Sequence, residues 1–196
     1  MLGLLDHFGA QQAILIGNSL GGAVAMQFTL AHPERVSALV LVDPEVYNGG
    51  SPAWLRPLLA TPEMRHLGPL IARQIEKSGP ELIKTAWHDP SKIPAETIAL
   101  YERPLQANNW DIALWDFTLA TGTSDLPPHL KEFNLPTLVI TGDDDRIVPT
   151  ADTIRLAGEL PEAQLVVIPN AGHVPHEEQP AAFMAAVQKF ISTLSG

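Results

Sequence analysis

Four short apolar runs constrain the fold of this chain more than any other feature: Ala13–Ile16, Ala38–Val42, Thr137–Thr141 and Gln164–Ile168. They are rich in Val, Ile and Leu and do not alternate cleanly with polar residues. Continuous apolarity over so few residues predicts strands covered on both faces, as in a parallel sheet. Helical patterns follow three of them, at Gly21–Ala31, Ala151–Leu160 and Pro180–Leu194, the last with Phe183, Val187 and Phe190 or Ile191 on one face. Strand alternating with helix predicts an α/β fold, its parallel sheet flanked by helices and joined by right-handed crossovers.

One connection departs from that rhythm. From Pro44 to Pro136 no strand pattern occurs, yet the stretch holds Trp54, Trp87, Trp110 and Trp115 and both tyrosines, Tyr47 and Tyr101. A structureless loop of that length is exceptional in a compact domain, so the segment reads as inserted helices broken by prolines. The expected helices are Pro52–Ala60, Gly68–Lys77, Pro80–Ala86, Pro94–Tyr101 and Trp110–Leu119. The division that follows is a core from residues 1–44 and 130–196 with a helical insertion at 45–129.

Behind the first apolar run stands Ile16-Gly17-Asn18-Ser19-Leu20-Gly21-Gly22. Ser19 falls on the turn between a strand and a helix, a reversal tight enough that side chains at Gly17 and Gly21 are expected to collide with neighbouring elements. Such a turn lifts the serine hydroxyl above the carboxyl edge of the sheet and aims the Leu20 N–H at any oxyanion beside it. The plainer reading is a βα turn whose serine caps the helix. A nucleophilic serine needs a base, and the base an acid that orients it. Both residue types follow later strands: Asp143, Asp144 and Asp145 after Thr137–Thr141, and His173 after Gln164–Ile168. These are the strand ends at which open α/β sheets bind ligands.

Composition removes other classes. The formal net charge of −10 leaves no basic footprint for nucleic acid. Without cysteine there is neither a disulfide framework nor a thiolate nucleophile. No apolar run is long enough to span a bilayer and no signal-type leader opens the chain, so a cytoplasmic protein with no membrane partner is expected. The glycines surround a serine and lack the lysine of a phosphate-binding loop, and no metal-ligand spacing stands out, so no cofactor and no metal are expected. A cation held by the three aspartates is the competing idea, weakened by the adjoining Arg146.

Together "GNSLGG", "GDDDRIVP" and "NAGHVPHEEQP" resemble the nucleophile elbow, acid loop and histidine loop of the α/β-hydrolase superfamily. By position in those motifs the resemblance implies Ser19 as nucleophile, Asp145 as acid, His173 as general base and Leu20 as oxyanion-hole donor. Asp143 and Asp144 compete for the acid, His176 for the base, and Glu178 matches a position that braces the histidine loop or is a solvated carboxylate. The family's sheet usually has eight strands, the serine following the fifth, so the chain resembles the C-terminal half of the fold, with the insertion as its cap. That comparison also implies loss of the loop supplying a second oxyanion donor, and an exposed edge at Ala13–Ile16 inviting self-association. The implied activity is a serine esterase acting on small ester or related carbonyl substrates through an acyl-enzyme. A carbon–carbon bond hydrolase on the same triad, and an inactive or binding-only remnant, are the alternatives.

Overall fold

The computed structural model describes residues 1–47, 54–120 and 124–194, apart from the side chains of Lys77 and Pro80. In chain order the elements are α1 (Leu2–His7), β1 (Ala13–Asn18), α2 (Leu20–Ala31), β2 (Val36–Val42), α3 (Arg56–Leu59), α4 (Pro62–Ala72), α5 (Ile75–Ala86), α6 (Ala95–Glu102) and α7 (Trp110–Ala120). Then come β3 (Thr137–Gly142), α8 (Thr150–Glu159), β4 (Ala163–Ile168), α9 (Pro175–Glu178) and α10 (Pro180–Leu194). They divide into two compact units, one of Met1–Tyr47, Ala86–His88 and Asp125–Gly196, the other of Asn48–Thr85 and Asp89–Ser124. Among the described residues no helix is long and apolar enough to cross a membrane.

The first unit is built on a parallel sheet of order β1-β2-β3-β4. Asn18 pairs with Val42, Val42 with Ile140 and Gly142 with Ile168, so the four carboxyl ends come nearly level. Side chains alternate across β2 and β3, which gives the sheet a core on each face. Leu39, Leu41 and Val139 pack with Ala25 and Met26 of α2 and Leu156 of α8. Ala38, Val40, Val42, Leu138 and Ile140 pack with Val187 and Phe190 of α10.

Cover on both faces holds for the two inner strands and fails for the outer ones. Ile16 of β1 is 56% exposed, and Leu165 and Val167 of β4 are each 40% exposed. An apolar run marks a strand wherever it lies, but its cover depends on neighbours that an edge position does not have.

In the second unit the helix expected over Gly68–Lys77 is divided between α4 and α5. Thr61 caps α4, its hydroxyl oxygen accepting the Met64 N–H at 3.4 Å, and Pro62 starts the first turn. Gly68 and Pro69 therefore lie inside the helix instead of opening it. Gly68 is needed there because a Cβ would stand 2.0 Å from the Trp115 ring of α7. Gly79 and Pro80 likewise fall within α5. The start expected for the first inserted helix, at Pro52, lies outside the described residues. Trp115 is buried and Trp54 exposed, and a cavity of about 440 Å³ in this unit is lined by Ile75, Leu82, Ile83, Tyr101 and Leu105 among others.

Candidate active site

The site is assembled at the carboxyl end of the sheet in the first unit. A single residue, Ser19, turns the chain from β1 into α2, with φ 55 and ψ −124. A side chain in that left-handed region costs roughly 1–3 kcal/mol and persists only where its surroundings impose it. Here the Ser19 N–H donates to the Val42 carbonyl at 2.9 Å, and its carbonyl accepts from Gly22 N–H at 3.0 Å and Glu45 N–H at 3.1 Å. A Cβ at Gly17 would lie 2.3 Å from the Gly21 carbonyl oxygen, so only glycine fits. Gly21 itself faces open space, which corrects the collision expected there. The crowding falls on Gly22, where a Cβ would meet that of Pro44 at 2.7 Å. The Ser19 hydroxyl makes no cap bond to α2, so a capping role is not what the turn serves. Leu20 N–H is the first of that helix and has no acceptor within it.

Asp145 and His173 come together on the loops after β3 and β4. His173 Nδ1 lies 2.7 Å from Asp145 Oδ2, both residues buried and the aspartate side chain without exposure. The other carboxylate oxygen, Oδ1, accepts the Ile147 and Val148 N–H groups at 2.7 and 3.0 Å, which fixes the orientation of the group. The ring's hydrogen bond is to Asp145, and none runs from Ser19 among the described residues. Such bonds often tighten only when a ligand is bound. A side chain that sequence reading passed over joins the parts: the Asn18 amide donates to the His173 carbonyl at 3.0 Å and to the Val42 carbonyl at 3.2 Å. The elbow and the histidine loop are thereby tied, and a polar residue at the exit of an apolar strand was the available signal.

The competitors do other work. Asp143 accepts the Ala171 N–H at 3.3 Å. Asp144 binds Arg146 and lies 2.9 Å from His88 Nδ1, and the Arg146 guanidinium, ahead of His88, holds its carboxyl below the usual range. His88 belongs to this network through both its ring and its backbone N–H. His176 stacks obliquely on Phe183 at 5.7 Å, and burial lowers its imidazole below the ordinary histidine range. Burial also pushes up the carboxyl of Glu45, against the opposing influence of His173.

Glu178 is a brace. Its carboxylate accepts the Gly172 N–H at 2.5 Å and the His88 N–H at 2.7 Å, while His173 N–H donates to the Ala86 carbonyl at 2.7 Å. Hydrogen bonds to a charged acceptor contribute about 1.5–3 kcal/mol when buried and less here, where the glutamate is part-exposed. Glu178→Ala is expected to lower the melting temperature by about 4 °C, measured by circular dichroism, with Glu178→Gln recovering part of the loss. Equal melting of Glu178→Ala and parent would show that the loop is held by other contacts.

Among the described residues one group of side chains is close enough to hold a metal ion: the ligand atoms of Asp43, Asp145 and His173 lie within 4.8 Å of one another. Two of those residues already face each other in the Asp145–His173 hydrogen bond.

A parallel sheet with a strained serine turn after one strand, and a buried Asp–His pair after two later ones, is the architecture of an α/β hydrolase. Residues 1–180 match the alpha/beta hydrolase fold family, and the chain belongs to it. It is 31% identical over 192 residues to the uncharacterized hydrolase YugF of Bacillus subtilis (strain 168), covering 97% of this chain and 69% of that protein. It is 30% identical over 195 residues to the 2-hydroxy-6-oxo-6-phenylhexa-2,4-dienoate hydrolase of Burkholderia cepacia, covering 97% of this chain and 66% of that one. A thermophilic esterase from Thermogutta terrifontis aligns with TM-score 0.71 at 27% identity, covering 98% of this chain and 69% of the other. The chain therefore spans about two thirds of the length of these relatives.

Proposed function

We propose that this protein is a serine hydrolase of small ester or related carbonyl substrates, with Ser19 as nucleophile, His173 as general base and Asp145 as the acid that orients it. The observation that carries this reading is the buried 2.7 Å pair of His173 and Asp145 at the same sheet edge as the strained Ser19 turn. Asp145 accepts a hydrogen bond from the His173 Nδ1–H and leaves the proton on that nitrogen, so Nε2 keeps its lone pair free to take a proton. As Ser19 Oγ bonds to the substrate carbonyl carbon, its proton passes to Nε2 and the carbonyl π electrons move onto oxygen. The Leu20 N–H at the start of α2 stabilises that oxyanion. Collapse expels the alcohol, which leaves with the proton from Nε2. Water, giving a proton to the same nitrogen, then adds to the acyl carbonyl carbon, and the second tetrahedral intermediate collapses to the carboxylic acid as the C–Oγ bond breaks and Ser19 Oγ takes the proton back from Nε2.

A carbon–carbon bond hydrolase is the second reading, favoured by the 30% identity to a dienoate hydrolase. It uses the same side chains on a different leaving group.

The test is covalent labelling by a fluorophosphonate probe followed by peptide mass mapping. One adduct is expected, on the peptide containing Ser19, and none after thermal unfolding. A folded sample that takes up no probe, or takes it elsewhere, would favour the inactive, binding-only alternative.

A further inference from the structure

The mechanism leaves one buried titratable group unused. Asp43 directly follows β2, with φ 44 and its N–H bonded to the Ile140 carbonyl at 2.9 Å, and it has no solvent exposure. Neither carboxyl oxygen meets a hydrogen-bond partner at good geometry. A carboxyl oxygen nevertheless lies within 4.8 Å of one carboxylate oxygen of Asp145 and one ring nitrogen of His173. The other groups against it are the Thr141 hydroxyl, which gives its own proton to the Gly142 carbonyl at 3.0 Å, and the Gly142 backbone. Around His173 stand Glu45 and His176 in addition. No lysine or arginine is among these groups.

We propose that Asp43 is a positioning residue for the Asp145–His173 pair: its carboxyl stays protonated and shares that proton with Asp145, holding the Asp145 carboxylate against the imidazole. The proposal rests on the reading of His173 as the base. Two buried carboxylates this close do not both ionise without a cation between them. Asp145 is the one that keeps its charge, because Ile147 N–H, Val148 N–H and the imidazole all face it, and its two oxygens retain lone pairs for a further donor. Burial, more than the neighbouring Asp145 charge, pushes the Asp43 carboxyl up to about 9. The site thus contains one ionised aspartate behind the ring instead of two.

Two measurements test this, and the first needs no catalytic activity. A group whose folded pKa is raised from 3.8 to about 9 keeps its proton in the folded chain while the unfolded chain loses it, so stability falls as pH rises through that window. Asn at residue 43 suits a positive φ, keeps a donor and does not titrate. The melting temperature of Asp43→Asn minus that of the parent is therefore expected to grow by about 5 °C or more between about pH 5.5 and about pH 8.5. A difference that stays flat would overturn the protonated state. The second measurement is the pH dependence of fluorophosphonate labelling at Ser19. Asp43→Gly, which fits the backbone but removes the carboxyl, is expected to label about 10-fold more slowly or worse, and Asp43→Asn to restore most of that rate with the acid-limb midpoint at its parental pH. A midpoint about one unit lower in Asp43→Asn would show that Asp43 was ionised, and equal rates in Gly and Asn variants would show no positioning role. If the parent takes no label, the proposed function fails and the melting series still decides the protonation of Asp43.

Discussion

Asp145→Asn is expected to slow acylation of Ser19 by about 10⁴-fold while leaving the fold intact. The reason is the pair of N–H groups on Asp145 Oδ1, from Ile147 at 2.7 Å and Val148 at 3.0 Å. An asparagine amide satisfies them only by placing its oxygen there, which turns its NH₂ toward His173 Nδ1. That nitrogen must then accept, so the ring proton moves to Nε2, the atom that takes the serine proton in the proposed mechanism. The imidazole is thus held in the wrong tautomer without any change in shape. The measurement is the rate constant for labelling by a fluorophosphonate, with circular dichroism melts as the control. A labelling rate within about 10-fold of the parent would show that the aspartate does not set the tautomer.

Gly142→Ala is expected to damage the fold itself. Gly142 ends β3, and a Cβ there would lie 2.2 Å from both the Ala171 and the Gly172 carbonyl oxygens. These are backbone atoms of the loop that delivers His173, whose position is already pinned by Glu178 and by the Ala86 carbonyl, so they cannot withdraw as a flexible side chain would. Overpacking costs typically 1–3 kcal/mol where neighbours can relax, and a cost of about 3 kcal/mol or more is expected here. For a chain of this size that corresponds to a fall of about 6–12 °C in melting temperature. The surviving folded fraction should label slowly, since relief of the clash pushes the histidine loop away from the acid loop. A melting temperature within about 2 °C of the parent would mean that the two loops are not locked together at this point.

Much of the frame was legible in the chain. Each of the four strands grew from the apolar run that predicted it, gaining one to two residues at its ends, because a run of Val, Ile and Leu between turn residues signals a strand locally. The turn at Ser19 was equally local, since glycines beside a serine between a strand and a helix leave few backbone solutions. Asp145 could not be separated from Asp143 and Asp144 by spacing. Their roles diverge only through partners far along the chain, Ala171 for Asp143 and His88 for Asp144. Glu178 was ambiguous and Asn18 was passed over for the same reason: they make hydrogen bonds to residues 90 and 155 positions away.

By itself the sequence determined the order of the four strands and of the helices at Leu20–Ala31, Thr150–Glu159 and Pro180–Leu194, the strained serine turn and the residue types able to form an Asp–His pair. Those follow from short-range sterics and from the apolar period of each segment. Only the tertiary structure decided which strands are covered, why a helix runs through Gly68 and Pro69, that the crowding at the turn falls on Gly22, and that Asp43 is buried close to Asp145 and His173. Each of these depends on which atoms from distant segments occupy the neighbouring space, and burial, clash and proton affinity are properties of that space.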